Sequence, residues 1–131
     1  SGAGDVNNDG IKDVVVGCNL ADPLSRNNAG AVYILYGKST GLTNIDLASF
    51  ASSGYKGRVL QGAASADQFG MSVSAAGDVN GDGIADVVIG AHNADPPLGS
   101  VASASSVSPS PAATHEKSPL YELCKSSWNQ P

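Results

Sequence analysis

Two nine-residue loops in this chain carry oxygen side chains at alternating positions. Both have the form D-x-N-x-D-G-x-x-D, and their members are Asp5, Asn7, Asp9, Gly10 and Asp13 in the first copy and Asp78, Asn80, Asp82, Gly83 and Asp86 in the second. Calcium prefers about six to eight oxygen ligands, which such loops commonly supply. Side chains at positions 1, 3, 5 and 9 and the backbone carbonyl of position 7, which is Ile11 or Ile84, would provide them. The sequence therefore predicts two calcium sites.

Other interpretations of these loops fit the sequence less well. An EF-hand begins in the same way but needs a Glu at position 12, which is Val16 or Ile89 here. Magnesium fits less well, because it gives up its water reluctantly and rarely takes an all-protein cage. A single loop of this type is also compatible with a plain hairpin turn. The presence of four oxygen side chains in both copies favours metal binding over that simpler interpretation.

The loops belong to a longer internal repeat. Residues 1–23 and 74–96 align without a gap, and 16 of the 23 positions are identical. Short runs rich in β-branched or alternating residues, bounded by turn residues, predict strands. These runs are Asp13–Gly17, Gly30–Gly37, Arg58–Gln61, Met71–Ala75 and Asp86–Gly90, and only Asn44–Phe50 is compatible with a short helix. The repeat therefore predicts two copies of one all-β unit.

The strand runs DVVVG and AVYILY are almost continuously apolar. Continuously apolar strands are covered on both faces, so each sheet should lie between two others. A propeller blade meets this requirement, whereas a two-sheet sandwich leaves one face of each sheet in water. We predict an all-β fragment of a β-propeller with about one and a half four-stranded blades.

Charge and composition exclude several functional classes. The chain has 131 residues, 16 glycines, 41% hydrophobic residues and a net charge of −5. This acidic balance argues against nucleic-acid binding and against a polybasic membrane anchor. No apolar run approaches the roughly 18 residues of a membrane span, so direct membrane insertion of this segment is not expected. Six of the ten aspartates in residues 1–101 lie in the two loops, so the acidity is mostly that of the predicted metal sites.

The composition changes near Val101. Residues 102–131 are rich in Ser, Ala and Pro, and ASASS follows where the repeat calls for a third strand. We expect this tail to be disordered or foreign to the fold, for example through a misjoined reading frame. A disulfide between Cys18 and Cys124 is left open by the sequence.

One motif suggests catalysis. Gly37–Gly41 (GKSTG) matches G-x-S-x-G, but a nucleophile elbow needs a strand, a sharp turn, a helix and a distant His and Asp. The sequence after Gly41 predicts no convincing helix, so we interpret the motif as a turn and expect no enzymatic activity.

The second copy resembles the FG-GAP repeat, which builds the β-propeller of integrin α subunits and occurs in many secreted and surface proteins. The resemblance rests on FGMS at 69–72, GDVNGDG at 77–83 and DVVIGA at 86–91. It covers residues 1–101, with a partial first copy at 1–61 and a second copy at 69–101; Gly-Cys-Asn and Gly-Ala-His stand where Gly-Ala-Pro is usual. The resemblance implies a propeller of about seven blades and calcium bound by the residues named above.

The resemblance also implies a function. We expect a non-enzymatic calcium-binding module of a secreted or cell-surface protein, in which the complete propeller binds a protein or extracellular-matrix ligand. The alternatives are an accessory propeller of a secreted hydrolase similar to glycosylphosphatidylinositol phospholipase, and a purely architectural surface repeat. Two repeats cannot close a ring, so we expect the chain to be part of a larger protein and only marginally stable alone.

Overall fold

The computed structural model describes residues 1–52 and 54–94. These residues form six strands and two short 3-10 turns. The strands are β1 (Gly2–Gly4), β2 (Asp13–Cys18), β3 (Ala31–Leu35), β4 (Gly57–Gln61), β5 (Phe69–Gly77) and β6 (Asp86–Ala91). The all-β fold class is therefore confirmed. The prediction for residues 102–131 lies outside the described part of the chain.

Strands β1 to β4 form one antiparallel sheet in chain order, and β5 and β6 form a second. In the first sheet, Val15 lies opposite Ile34 and Tyr33 lies opposite Val59. All five predicted strands are present within one to two residues of their predicted ends. Strand β1 was not predicted, because Gly2–Gly4 contains no β-branched or aromatic residue. The first sheet has the four strands of a complete blade, and the second begins another.

A bulge precedes each of the two aspartate-rich loops. The β1–β2 register shifts between Gly2 and Gly4, and the β5–β6 register shifts at the equivalent place, between Ala75 and Gly77. A bulge bends its strand and increases the local twist. It turns the chain into the loop, which then returns through the aspartate that begins β2 or β6.

The two sheets pack against each other through small and branched side chains. The core they share is Ala3, Val6, Val15, Val32, Ile34, Val87 and Ile89. Backbone bonds also join the two halves, since Phe69 donates to the Ala29 carbonyl at 3.0 Å and Ala85 donates to the Asp5 carbonyl at 3.3 Å. The interface between the sheets is thus the hydrophobic centre of the described chain, as stacked blades require.

Equivalent residues in the two copies have opposite burial. Val15 is buried beneath the second sheet, whereas its repeat equivalent Val88 is only half-buried. Val6 is 1% exposed and its equivalent Val79 is 60% exposed. Among the described residues, Val79 and Val88 are therefore less covered than their equivalents in the first copy. This is the pattern expected where a further blade would stack.

The connection between β3 and β4 covers the other side of the first sheet. Phe50 is 6% exposed and meets the Tyr33 ring edge-on at 5.6 Å. Tyr55 stacks beside Phe50 at 6.2 Å and donates its hydroxyl to the Tyr36 carbonyl at 3.1 Å. Within Asn44–Phe50 the only helical element is a single 3-10 turn, Leu47–Ser49. The tyrosines of β3 and its exit are thus used for packing.

Candidate metal centres

The first loop is closed by its own carboxylates. Asp5 Oδ1 accepts from the Asp9 N–H at 3.0 Å, and Asp5 Oδ2 accepts from the Gly10 N–H at 2.7 Å. Asn7 Oδ1 accepts from the Asp9 N–H at 3.0 Å, and Asp9 Oδ1 accepts from the Ile11 N–H at 2.9 Å. Asp5, Asn7 and Asp9 therefore surround one short stretch of backbone, with their oxygen atoms turned toward the loop.

The second loop repeats this arrangement. Asp78 Oδ1 and Oδ2 accept from the Asp82 and Gly83 N–H groups at 3.0 and 2.8 Å. Asn80 Oδ1 accepts from the Asp82 N–H at 2.9 Å, and Asp82 Oδ1 accepts from the Ile84 N–H at 2.9 Å. A further bond runs from the Gly81 N–H to Asp78 at 2.7 Å. The two loops thus share four hydrogen bonds as well as the D-x-N-x-D-G-x-x-D motif.

The glycine at position 6 is required by the backbone of both loops. Gly10 and Gly83 both have φ of +85°, a left-handed conformation that costs an L-residue about 1–2 kcal/mol. Position 4 is left-handed too, with Asn8 at φ 58° and Gly81 at φ 77°. Asn adopts this region more readily than most residues. These turns hold positions 1, 3 and 5 on one side of the loop.

The aspartate at position 9 lies deeper than the other acidic residues of its loop. Asp13 is 2% exposed, and its Oδ2 and Oδ1 accept from the Val6 and Gly37 N–H groups, each at 2.8 Å. Asp86 is fully buried, and its Oδ2 accepts from the Val79 N–H at 2.9 Å. The sequence predicted these residues only as metal ligands. The structure gives them a backbone-bonding role whose long-range partner, Gly37, no local spacing could have indicated.

Burial raises the pKa of the Asp13 carboxyl above its ordinary value. The hydrogen bonds from Gly37 and Val6 lower this pKa in part, whereas the negative charges of Asp9 and Asp5 raise it further. The ionised form of Asp13 is therefore disfavoured in the metal-free loop. A cation beside it would favour the ionised form.

The donor chemistry of both loops fits calcium. Each offers carboxylate and amide oxygens together with the carbonyl of Ile11 or Ile84, and a carboxylate oxygen that accepts one N–H bond keeps further lone-pair capacity. Among the residues that the structure describes, however, no three acidic, His or Cys side chains gather around one point. The carboxylates instead bond to loop N–H groups. Filling the site would require those side chains to share or exchange these bonds.

The roles of Asp13 and Asp86 lead to a paired prediction. We expect Asp13→Asn to lower the free energy of unfolding of the metal-free chain by about 1–2 kcal/mol, because an amide nitrogen would face one of two buried N–H donors. Asp86→Asn should change it by less than about 0.5 kcal/mol, since Asn keeps an oxygen for Val79. Urea unfolding followed by circular dichroism measures both. An equal loss in the two variants would contradict the assignment.

Two other sequence features have a plain structural setting. The GKSTG segment is a turn, with the Gly41 N–H donating to the Lys38 carbonyl at 2.9 Å, and no helix follows it directly. Cys18 is half-buried at the end of β2, and Cys124 lies outside the described residues.

Among the described residues, no helix has the length and apolar character needed to cross a membrane.

A four-stranded antiparallel sheet from the first repeat copy stacks on a second sheet from the next copy, and this arrangement defines the chain as part of a β-propeller. The chain belongs to the FG-GAP repeat family, which matches residues 1–35 and 69–108. The family resemblance drawn from the loops and the Phe-Gly start is therefore confirmed.

Proteins of different names are similar in sequence to this chain. Mouse integrin alpha-2 is 42% identical over 88 residues, which cover 66% of this chain and 7% of the relative. Integrin alpha pat-2 of Caenorhabditis elegans is 33% identical over 89 residues, covering 68% and 6%. Bovine phosphatidylinositol-glycan-specific phospholipase D is 36% identical over 87 residues, covering 66% and 10%. The chain thus spans a tenth or less of the length of these relatives.

Proposed function

We propose that this chain is a non-enzymatic calcium-binding propeller module of a secreted or cell-surface protein. Its two loops would hold one structural calcium ion each. The complete propeller would mediate adhesion or partner binding through a protein or extracellular-matrix ligand. The observation that carries the calcium proposal is the duplicate loop: the same oxygen side chains close the same turn in both copies.

Some groups of each loop would bind the ion, and others would maintain the conformation of the loop. The ligands would be the oxygens of Asp5, Asn7, Asp9, Ile11 and Asp13, and those of Asp78, Asn80, Asp82, Ile84 and Asp86. A bound calcium ion would supply positive charge to a loop that carries three carboxylates within nine residues. Backbone N–H groups orient the carboxylates at positions 1 and 5, while glycine sets the turn. The effect would be a rigid loop in each of the two hairpins, β1–β2 and β5–β6.

The similarity to integrin alpha chains supports an adhesion or partner-binding role for the parent protein. Propeller modules in surface proteins meet calcium at concentrations suited to weak extracellular sites, with dissociation constants of about 10⁻⁴ to 10⁻³ M. We therefore propose an extracellular or cell-surface location. No nucleic-acid partner and no direct membrane insertion are proposed for this segment.

The calcium proposal is tested by stoichiometry. Isothermal titration of the metal-free full chain with calcium should reveal two sites, and Asp9→Ala or Asp82→Ala should each leave one. The control is Asp46→Ala, an exposed aspartate outside both loops that caps a 3-10 turn. The double variant Asp9→Ala/Asp82→Ala should bind no calcium at these positions. Two sites that persist in the double variant would refute the proposed ligand sets.

One alternative function is favoured by a specific observation. The similarity to bovine phosphatidylinositol-glycan-specific phospholipase D supports an accessory propeller within a secreted hydrolase. A metallo-hydrolase domain in the flanking sequence of the parent would support this alternative, whereas a stalk with a transmembrane helix would support adhesion. A purely architectural repeat is the third possibility. It predicts that a screen of the complete protein against matrix proteins yields no specific ligand.

A further inference from the structure

One carboxylate oxygen of the second loop lacks a hydrogen-bond donor. Asp86 is fully buried, and while its Oδ2 accepts from the Val79 N–H, its Oδ1 has no partner within the described part of the chain. A buried charged oxygen without a donor is costly, and such groups in folded proteins nearly always find one. In the metal-free chain, a further N–H group would satisfy this oxygen.

The first sheet shows where that N–H group comes from. Asp13 is the repeat equivalent of Asp86, and its Oδ2 is likewise used by the loop, through the Val6 N–H. The equivalent of the unpaired oxygen, Asp13 Oδ1, accepts from the Gly37 N–H at 2.8 Å. Gly37 lies two residues beyond the end of β3. The missing donor thus belongs to a chain leaving a strand paired with β6.

Strand β6 also has an edge without a partner strand among the described residues, next to Asp86. Strand β2 pairs with β1 on one side and with β3 on the other, whereas β6 pairs only with β5 among the described strands. Its remaining edge presents backbone donors and acceptors, which is the template for adding one more strand. The edge and the unpaired carboxylate oxygen lie together, at the start of β6.

The first sheet also shows which sequence fits such an edge. Val32 and Ile34 of β3 enter the shared core, and the chain then reaches Gly37. A Cβ at Gly37 would lie 2.3 Å from the Lys12 carbonyl oxygen and 2.6 Å from Ile11 Cγ2, so only glycine fits. A matching strand therefore has two apolar residues separated by one position, followed three residues later by glycine.

The sequence of this chain after β6 departs from that pattern. At the repeat spacing of 73, the equivalents of Val32 and Gly37 are Ser105 and Ser110. Aligning Gly99 with Gly30 instead places Ser103 at the Ile34 position and Ser106 at the Gly37 position. In both alignments serine replaces a core residue and the required glycine. The chain's own sequence is thus a poor complement to the edge of β6.

We propose that the edge of β6, with Asp86 at its base, is an acceptor site for one antiparallel strand from another polypeptide. The strand that fits resembles Gly30–Gly37: by the β2–β3 register its two apolar residues would lie opposite Gly90 and Val88, on the face of β6 turned away from the first sheet, and a following glycine would donate its N–H to Asp86 Oδ1. Main-chain bonds along β6 provide affinity, and the pairing of a buried carboxylate with an N–H group fixes the register. Because Asp86 is also a proposed calcium ligand, strand binding is measured on the metal-free chain, where the outcome does not depend on whether the loop binds calcium.

The test uses the full chain and a fluorescent peptide with the sequence of residues 30–37, flanked by lysines for solubility. Fluorescence anisotropy should show saturable binding, and a scrambled peptide of the same composition should bind at least about tenfold more weakly. Asp86→Asn should weaken binding of the authentic peptide about tenfold, because the amide nitrogen would repel the incoming N–H. Asp46→Asn, which makes the same charge change at an exposed site, should bind as the unchanged chain does.

A second test changes the peptide and leaves the protein unchanged. Replacing the last glycine of the peptide, equivalent to Gly37, with alanine should weaken binding about tenfold as well, because its Cβ has no room. Amide hydrogen exchange of Asp86–Ala91 should slow when the authentic peptide is added. The proposal is wrong if binding is not saturable, if the alanine peptide binds equally well, or if these amides are already equally protected in the free chain.

Discussion

Calcium is expected to raise the free energy of unfolding of this chain by about 5 kcal/mol when each loop is supplied with ion at a hundred times its dissociation constant. A ligand that binds only the folded state adds about 2.7 kcal/mol per site at that concentration. The physical source is local. Each loop holds three aspartates within nine residues, and all three carboxylates accept hydrogen bonds from backbone N–H groups. A domain of this size has a total stability of only about 5–15 kcal/mol, so the gain would be large.

The measurement is urea unfolding of the full chain, first with a chelator and then with calcium. Asp9→Ala and Asp82→Ala should each remove about half of the calcium-dependent gain, and the double variant should remove all of it. Magnesium at the same concentration should give a much smaller gain, because it gives up its water less readily. A gain that survives in the double variant would mean that calcium acts elsewhere. The loops also touch through the Ala85 N–H and the Asp5 carbonyl, so a departure from additivity would measure their coupling.

Local sequence predicted the strands well because each signal was contained in a few residues. The β-branched runs of β2 and β6 and the glycines that bound β3 mark their strands directly. Strand β1 carries no such signal, since Gly2–Gly4 extends only because it pairs with β2. Its existence depends on a partner that lies about ten residues away in the sequence, which single-residue propensity cannot report.

The positions of the loop residues could be predicted for a similar reason, whereas the burial of Asp13 could not. The spacing of Asp5, Asn7 and Asp9 is a local property, and the structure places all three around one turn. Whether the ninth position faces an ion, solvent or backbone depends on the chain leaving β3. That chain brings the Gly37 N–H to Asp13 across 24 positions of sequence. The calcium-ligand assignment of Asp13 and Asp86 remains a prediction.

Burial was the property that sequence could least determine. Val15 and Val88 occupy the same place in two nearly identical segments, so no local rule can distinguish them. The structure separates them because Val15 is covered by the second sheet, while no described residue fully covers Val88. In a stacked-repeat fold the environment of a residue is set by the neighbouring repeat. The described residues contain one such neighbour, since the second sheet covers one face of the first and the β3–β4 connection packs on the other. That each sheet lies between two others stays a prediction.

Replacing Ile89 with alanine is expected to lower the free energy of unfolding by about 3 kcal/mol. Ile89 is 1% exposed and lies with Val87 on the face of β6 that meets the first sheet. Truncating a fully buried isoleucine to alanine typically costs about 2–5 kcal/mol, from lost transfer free energy and from the cavity left behind. The sheets meet through few large side chains, so little of that cavity can be refilled by neighbours.

The control for this prediction is the adjacent residue. Val88 points to the opposite face of β6, because successive side chains of a strand alternate between the two faces of the sheet. It is only half-buried, so Val88→Ala should cost less than about 1 kcal/mol in this chain. Chemical denaturation of both variants, at one fixed calcium concentration, gives the comparison. Equal losses would mean that the two faces of β6 are equally covered, which contradicts packing between the two sheets as the centre of stability. If a further blade stacks on the face of Val88, the costs of the two substitutions should come closer together.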